Sequence, residues 1–96
     1  MDGRADEPAV KEAIFTDHSL LQMGKRQVSP ETARDVLSAP EAILPVRPGR
    51  VVAQKIVTCP GGKRFLLRVF VVVDRKPAEV VTVYRTSKIE KYRSRP

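Results

Sequence analysis

The chain changes character at its middle, and that change limits the folds open to it. Eleven of its fourteen valines lie between Val46 and Val83, behind a first half rich in helix-forming and capping residues. β-branched side chains are stiff at χ1 and fit a pleated surface. Helices followed by strands make an α+β layer, with helices on one face of an antiparallel sheet. At 96 residues the chain has material for one domain and one modest core.

Within the second half, Val51–Thr58 reads as a strand and Cys59-Pro60-Gly61-Gly62-Lys63 as a hairpin turn. Arg64–Val73 is the longest strand, Asp74–Glu79 turns the chain again, and Val80–Arg85 is the last strand. Strands joined by short turns pair antiparallel in sequence order, so a three-stranded meander is expected. Ala9–Phe15 is either a fourth, N-terminal edge strand or the start of a helix. Pro40, Pro45, Pro48 and Gly49 mark a connector between the halves.

In the first half, Thr16 or Asp17 can cap a helix running to about Arg26, with Leu20, Leu21 and Met23 toward a core. Gly24 weakens its last turn. Ser29-Pro30-Glu31 starts a second helix, because Ser29 accepts orphan amides and Pro30 suits the first helical position. Ala33, Val36 and Leu37 form its apolar stripe, and Pro40 stops it. Ser87-Lys88-Ile89-Glu90 has capping-box spacing, so a short basic helix is expected to close the chain. Met1–Pro8 is polar and expected to fray, leaving 9–96 as one α+β domain.

Charge is divided as sharply as the valines. The net charge is +7 overall. Met1–Val46 has five basic and eight acidic residues, net −3; Arg47–Pro96 has thirteen basic and three acidic, net +10. Such a pole points to a polyanion or an acidic protein as partner. No apolar run approaches the length of a membrane span. An acidic N-terminus is not that of a signal peptide, and the single Cys59 cannot form an internal disulfide, so a reducing cytoplasm is the expected location. One His and one Cys cannot build a zinc site, and no cofactor motif is present. Pro60-Gly61-Gly62-Lys63 lacks the spacing of a phosphate-binding loop and precedes a strand rather than a helix, so it reads as a turn.

Alternation sorts the long strand into two faces. Phe65, Leu67, Val69, Val71 and Val73 share one, expected under the helices; Leu66, Arg68, Phe70 and Val72 share the other. On the last strand Val81 and Val83 lie on one side, Thr82 and Tyr84 on the other. Arg68, Thr82 and Tyr84 are therefore expected on an open face. There a guanidinium beside an aromatic ring can hold a phosphate and stack a base, or simply solvate a half-buried sheet. His18, the only histidine, is the natural candidate for proton transfer; its alternative is a local contact in the first turn of its helix. Lys25 and Arg26 suit a helix C-terminus and could also touch phosphate. Lys88, Lys91 and Arg95 form a basic stripe on the closing helix.

Three stretches carry a family resemblance. They are Phe15-Thr16-Asp17-His18-Ser19 through Lys25-Arg26-Gln27-Val28-Ser29, Pro48-Gly49-Arg50-Val51-Val52 with Lys63-Arg64-Phe65-Leu66-Leu67-Arg68-Val69, and Val81-Thr82-Val83-Tyr84-Arg85-Thr86-Ser87-Lys88-Ile89-Glu90-Lys91-Tyr92. Over Phe15–Tyr92 the chain resembles a small bacterial domain family of unknown function. That family is similar in layout to the RelE/ParE-like toxins, especially their BrnT-type branch. The chain departs from the pattern at Gln22, where Arg is expected, and at Gln27, where Gly is expected.

The resemblance implies helices on one side of a small antiparallel sheet, and the toxin of a toxin–antitoxin pair. Such a toxin is an RNA-binding protein, often a metal-independent endoribonuclease covered by an acidic antitoxin. In that reading Arg68 stabilises phosphorane charge, Tyr84 stacks a base or orients the phosphate, and His18 is the base for a ribose 2′-hydroxyl. Arg50, Lys55, Arg64 and Arg85 hold backbone phosphates, with Lys25, Arg26, Lys88 and Lys91 as further contacts. The alternative is a non-catalytic basic module that docks nucleic acid or an acidic partner protein.

Overall fold

The structure, a computed structural model, describes residues 6–92. The elements run α1 (Glu7–Lys11), β1 (Ile14–Phe15), α2 (Asp17–Lys25), α3 (Pro30–Ser38), β2 (Ala42–Arg47), β3 (Arg50–Thr58), β4 (Arg64–Val72), β5 (Glu79–Thr86) and α4 (Ile89–Tyr92). The strands form one mixed sheet in the order β1-β5-β4-β3-β2. The α+β class and the antiparallel β3-β4-β5 meander agree with the sequence; the strand count does not.

Two strands account for the difference. Ala42–Arg47, expected to be connector because of its prolines, pairs antiparallel with β3. It is an edge strand, where proline is tolerated because only one side of the backbone needs donors. Its register slips between Pro45 and Arg47. Ala9–Phe15 is both of the alternatives left open: its first residues belong to α1 and its last two are β1, which pairs parallel with β5 through Ile14–Glu79 and Phe15–Val80.

The helix signals worked as capping chemistry predicts. Thr16 Oγ1 accepts from the Ser19 amide at 3.1 Å and donates to the Val80 carbonyl at 2.9 Å. The cap of α2 is thus also a tether to β5. Ser29 Oγ accepts from the Thr32 amide at 3.1 Å, with Pro30 in the first helical position. α2 ends in a Schellman turn: the Val28 amide donates to the Met23 carbonyl at 2.9 Å and the Gln27 amide to Gly24 at 3.4 Å. Gln27 takes φ 59°, the left-handed conformation that glycine adopts most cheaply. The position where the resemblance led to an expectation of glycine needs that conformation, and this chain meets it with glutamine. Arg34 donates to the carbonyls of Lys11 and Ala13 at 3.1 and 2.8 Å and stacks on Phe15, pinning the α1–β1 junction.

The core lies between α1–α3 and one face of the sheet. Val10, Met23, Ala33, Val36 and Leu37 meet Val51, Ala53, Leu67, Val69, Val71, Val80 and Val83. Leu20 and Leu21, expected toward this core, are exposed at 41% and 61%. They fall on the outer side of α2, which buries only Ser19 and Met23. A register shift between Phe70 and Val71 pairs Phe70 with Thr82 but Val71 with Val80. Val80 and Val83 both reach the core as a result, and Val81, expected beside Val83, is only half-buried. A bulge shifts alternation by one residue, which strict period-two reading cannot see.

Candidate nucleic-acid interface

The opposite sheet face is not open. Arg68, expected in solvent, is 2% exposed and Leu66 1%. Register places Gln54, Arg68 and Tyr84 in one row across β3, β4 and β5. Arg68 Nε donates to Gln54 Oε1 at 3.1 Å, and its Nη1 to the Tyr84 hydroxyl at 2.6 Å. The guanidinium lies 4.9 Å from the Tyr92 ring centroid, 5.3 Å from Phe70 and 5.6 Å from Tyr84. Gln54 Nε2 donates to the Tyr92 carbonyl at 3.1 Å, so α4 is fastened across the row. Tyr84 and Thr82 are half-buried, and the Tyr84 ring meets Tyr92 edge-on with centroids 6.5 Å apart. The residues sorted onto an open face are a polar layer sealed by the closing helix.

His18 does not join them. It is exposed on α2, and its Nε2 lies 3.0 Å from Gln22 Nε2. α2 packs Met23 into the core on the helical side, while Arg68 and Tyr84 occupy the other face. The three residues assigned to catalysis are therefore divided: Arg68 and Tyr84 are hydrogen-bonded, and His18 belongs to another layer.

Another group converges instead, at the end of the sheet where the helices stop. Lys55, Leu67 and Arg85 form one row on the helical face, with Val57 and Phe65 beyond it. Phe65, expected in the core, is half-buried between two cations: Arg85 at 4.4 Å from the ring centroid and Lys63 at 5.4 Å. Arg85 Nη2 donates to Gln27 Oε1 at 3.2 Å and its Nη1 approaches Cys59 Sγ at 3.9 Å. The α2–α3 turn and the β3–β4 hairpin thus both orient this guanidinium. Lys25 and Arg64 are exposed. Arg26, assigned to phosphate, uses its Nη1 to donate to the Val83 carbonyl at 2.8 Å and so also holds α2 against β5.

The remaining assigned cations lie elsewhere. Arg50 begins β3, at the far end of the sheet. Lys88 and Lys91 are exposed near α4, with Lys91 over Tyr92 at 5.3 Å. Arg95 lies outside the described residues. Among the described residues no three His, Cys, Asp or Glu side chains group as a metal site, and no helix is long and apolar enough to cross a membrane. No protein-family model, no curated protein and no solved structure matches the chain.

Sequence reading missed three positions that build these two clusters. Gln54 sat unremarked in a valine strand, although hairpin register places it opposite Arg68. Phe65 was assigned to the core by alternation alone, although the helices are too short to cover the start of β4. Gln27 carried its signal as a departure from glycine, and its side chain positions Arg85.

Proposed function

We propose that the chain is a binding module for single-stranded RNA, engaged at the corner built by Lys63, Phe65 and Arg85. The observation that carries this reading is the Arg85–Phe65 stack, half-exposed and held from two sides. A guanidinium stacked on an aromatic ring presents its second plane to a nucleobase, and the surrounding lysines and arginines suit backbone phosphates. Lys25, Lys55 and Arg64 supply that charge. The location of the charge excess in the second half of the chain agrees with the same corner.

Cleavage is the weaker form of the toxin-like reading. It needs a cation, an orienting group and a base on one phosphate. Arg68 is enclosed, Tyr84 is bonded to it, and His18 stands on the helical layer. Binding needs none of these, so the geometry favours a module without that centre.

Fluorescence anisotropy with a labelled single-stranded RNA tests the reading. Affinity should fall steeply with salt, and Arg64→Ala, which removes one phosphate contact, should lower the slope of log K against log salt by about 0.7. Phe65→Ala should weaken binding by about 1–3 kcal/mol. Undetectable binding at low salt, or affinity equal to that of the wild type in both variants, overturns the proposal.

A further inference from the structure

The opposite end of the sheet holds a second cationic feature with a different construction. Arg47-Pro48-Gly49-Arg50 is the β2–β3 turn, with φ 79° at Gly49. Proline second and a left-handed glycine third define a type II turn. The positive φ favours glycine here, and a Cβ would also sit 2.6 Å from Asp74 Oδ2, so the Asp74 side chain would have to move aside. The turn makes Arg47 and Arg50 direct cross-strand partners. Like charges directly opposite one another destabilise a hairpin. The Val73 amide donates to the Gly49 carbonyl at 2.9 Å, drawing the β4–β5 connection against this turn. Arg75 comes with it.

Arg47, Arg50 and Arg75 line one cleft of about 260 Å³, with Gly49, Val72 and Asp74. Arg75 is matched by Glu79 at 2.9 Å. Arg50 is half-buried, and its Nε is shielded from solvent with no hydrogen-bond partner. A shielded donor without a partner costs stability, as does the opposed arginine pair. An oxyanion bound among the arginines offsets the cost of the opposed pair by neutralising both guanidiniums.

We infer that the Arg47–Arg50–Arg75 cleft is a binding site for a phosphoryl group carrying two negative charges. Three guanidiniums against the Asp74 and Glu79 carboxylates leave a positive excess. The Nη groups of Arg50, together with Arg47 and Arg75, supply the donors for the phosphoryl oxygens. The phosphoryl group is either free phosphate or the 5′-terminal phosphate of an RNA. The site does not depend on the Phe65 corner. Arg50 and Thr58 are the two ends of β3, about 26 Å apart at roughly 3.3 Å per residue.

The test uses the whole chain and inorganic phosphate, titrated at constant ionic strength with sodium chloride as the balancing salt. Saturable NMR shifts are expected at the Gly49 amide and the Arg50 Nε–H, with a rise in melting temperature beyond that in chloride. Arg50→Gln should weaken binding at least about tenfold, and Arg64→Gln, at the other end of the sheet, should not change it. Arg47→Gln should raise the melting temperature without phosphate, by relieving the like-charge pair, and shrink the phosphate increment. A parallel arm compares 5′-phosphorylated with 5′-hydroxyl RNA of one sequence. A preference for the phosphorylated strand that Arg50→Gln abolishes makes the RNA terminus the source; equal binding with saturable inorganic phosphate makes it free phosphate. Equal RNA binding with no saturable phosphate response overturns the site. So does an Arg50→Gln variant, folded by its NMR spectrum, that binds phosphate as the wild type does. Phe65→Ala separates this result from the RNA corner, since it should leave phosphate binding intact.

Discussion

Arg68 and Arg85 sit in consecutive rows of neighbouring strands and point to opposite faces of the sheet. Both guanidiniums lie against aromatic rings, Arg68 against three and Arg85 against Phe65. Yet one is 2% exposed and the other half-buried. The difference lies in what comes after the strand. Chain beyond β5 folds back as α4 and lays Tyr92 over Arg68, whereas α2 and α3 end short of Arg85. An arginine's strand position decides its face; the length and return path of neighbouring elements decide whether it is a strut or a contact.

The largest expected effect follows from Arg68 as strut. Arg68→Ala removes a buried side chain, deprives Gln54 Oε1 and the Tyr84 hydroxyl of a partner, and empties the space under Tyr92. A loss of about 3 kcal/mol is expected, or roughly 15 °C in melting temperature for a domain of this size. Thermal unfolding followed by circular dichroism measures it. Arg85→Ala should stay within about 1 kcal/mol of wild type, because its contacts are partly solvated. If both substitutions shift the melt equally, the division between strut and contact fails.

Tyr84→Phe refines the comparison at smaller scale. It deletes one hydroxyl that accepts from Arg68 Nη1 at 2.6 Å and leaves the ring stacked on Phe70, centroids 5.9 Å apart. Hydrogen bonds to charged groups contribute about 1.5–3 kcal/mol, so a loss of about 2 kcal/mol in urea unfolding is expected. RNA affinity at a temperature where the variant is folded should be unchanged. A selective loss of RNA binding with unchanged stability would instead return Tyr84 to the functional site and imply that α4 opens.

These outcomes separate what local pattern encodes from what it leaves open. The caps at Thr16 and Ser29, the hairpin at Gly61-Gly62 and the three long strands were legible because each depends on residues within a few positions. The β2 edge strand was hidden by its own prolines, which forbid a central strand but not an edge. The cover over Arg68 depends on Gln54 meeting the Tyr92 carbonyl 38 residues away, a separation at which periodicity carries no information. The expectation of an open face failed for that reason, although the alternation on β4 was right. The charge of Arg85 is legible in the sequence, but its partners Gln27, Cys59 and Phe65 come from three segments that only the fold assembles.

The smallest expected effect tests how Arg85 is held. Gln27→Gly replaces an L-residue at φ 59° with the residue that takes this conformation freely. Relief of left-handed strain is worth roughly 1–2 kcal/mol. Against it stand the greater chain entropy of glycine in the unfolded state and the exposed bond from Arg85 Nη2 to Gln27 Oε1. The terms nearly cancel, leaving a net gain of about 0.5 kcal/mol in urea unfolding. RNA binding should move the other way. Without Gln27 the Arg85 guanidinium keeps its stack on Phe65 but loses one of the two contacts that set its plane, so each binding event must order it. Affinity should fall by about twofold to fivefold, equivalent to roughly 0.5–1 kcal/mol of side-chain ordering. Stability rising while affinity falls is the signature of a residue kept in a strained conformation for its side chain. If affinity is unchanged, Gln27 is only a poor substitute for glycine, and Phe65 and Cys59 suffice to orient Arg85.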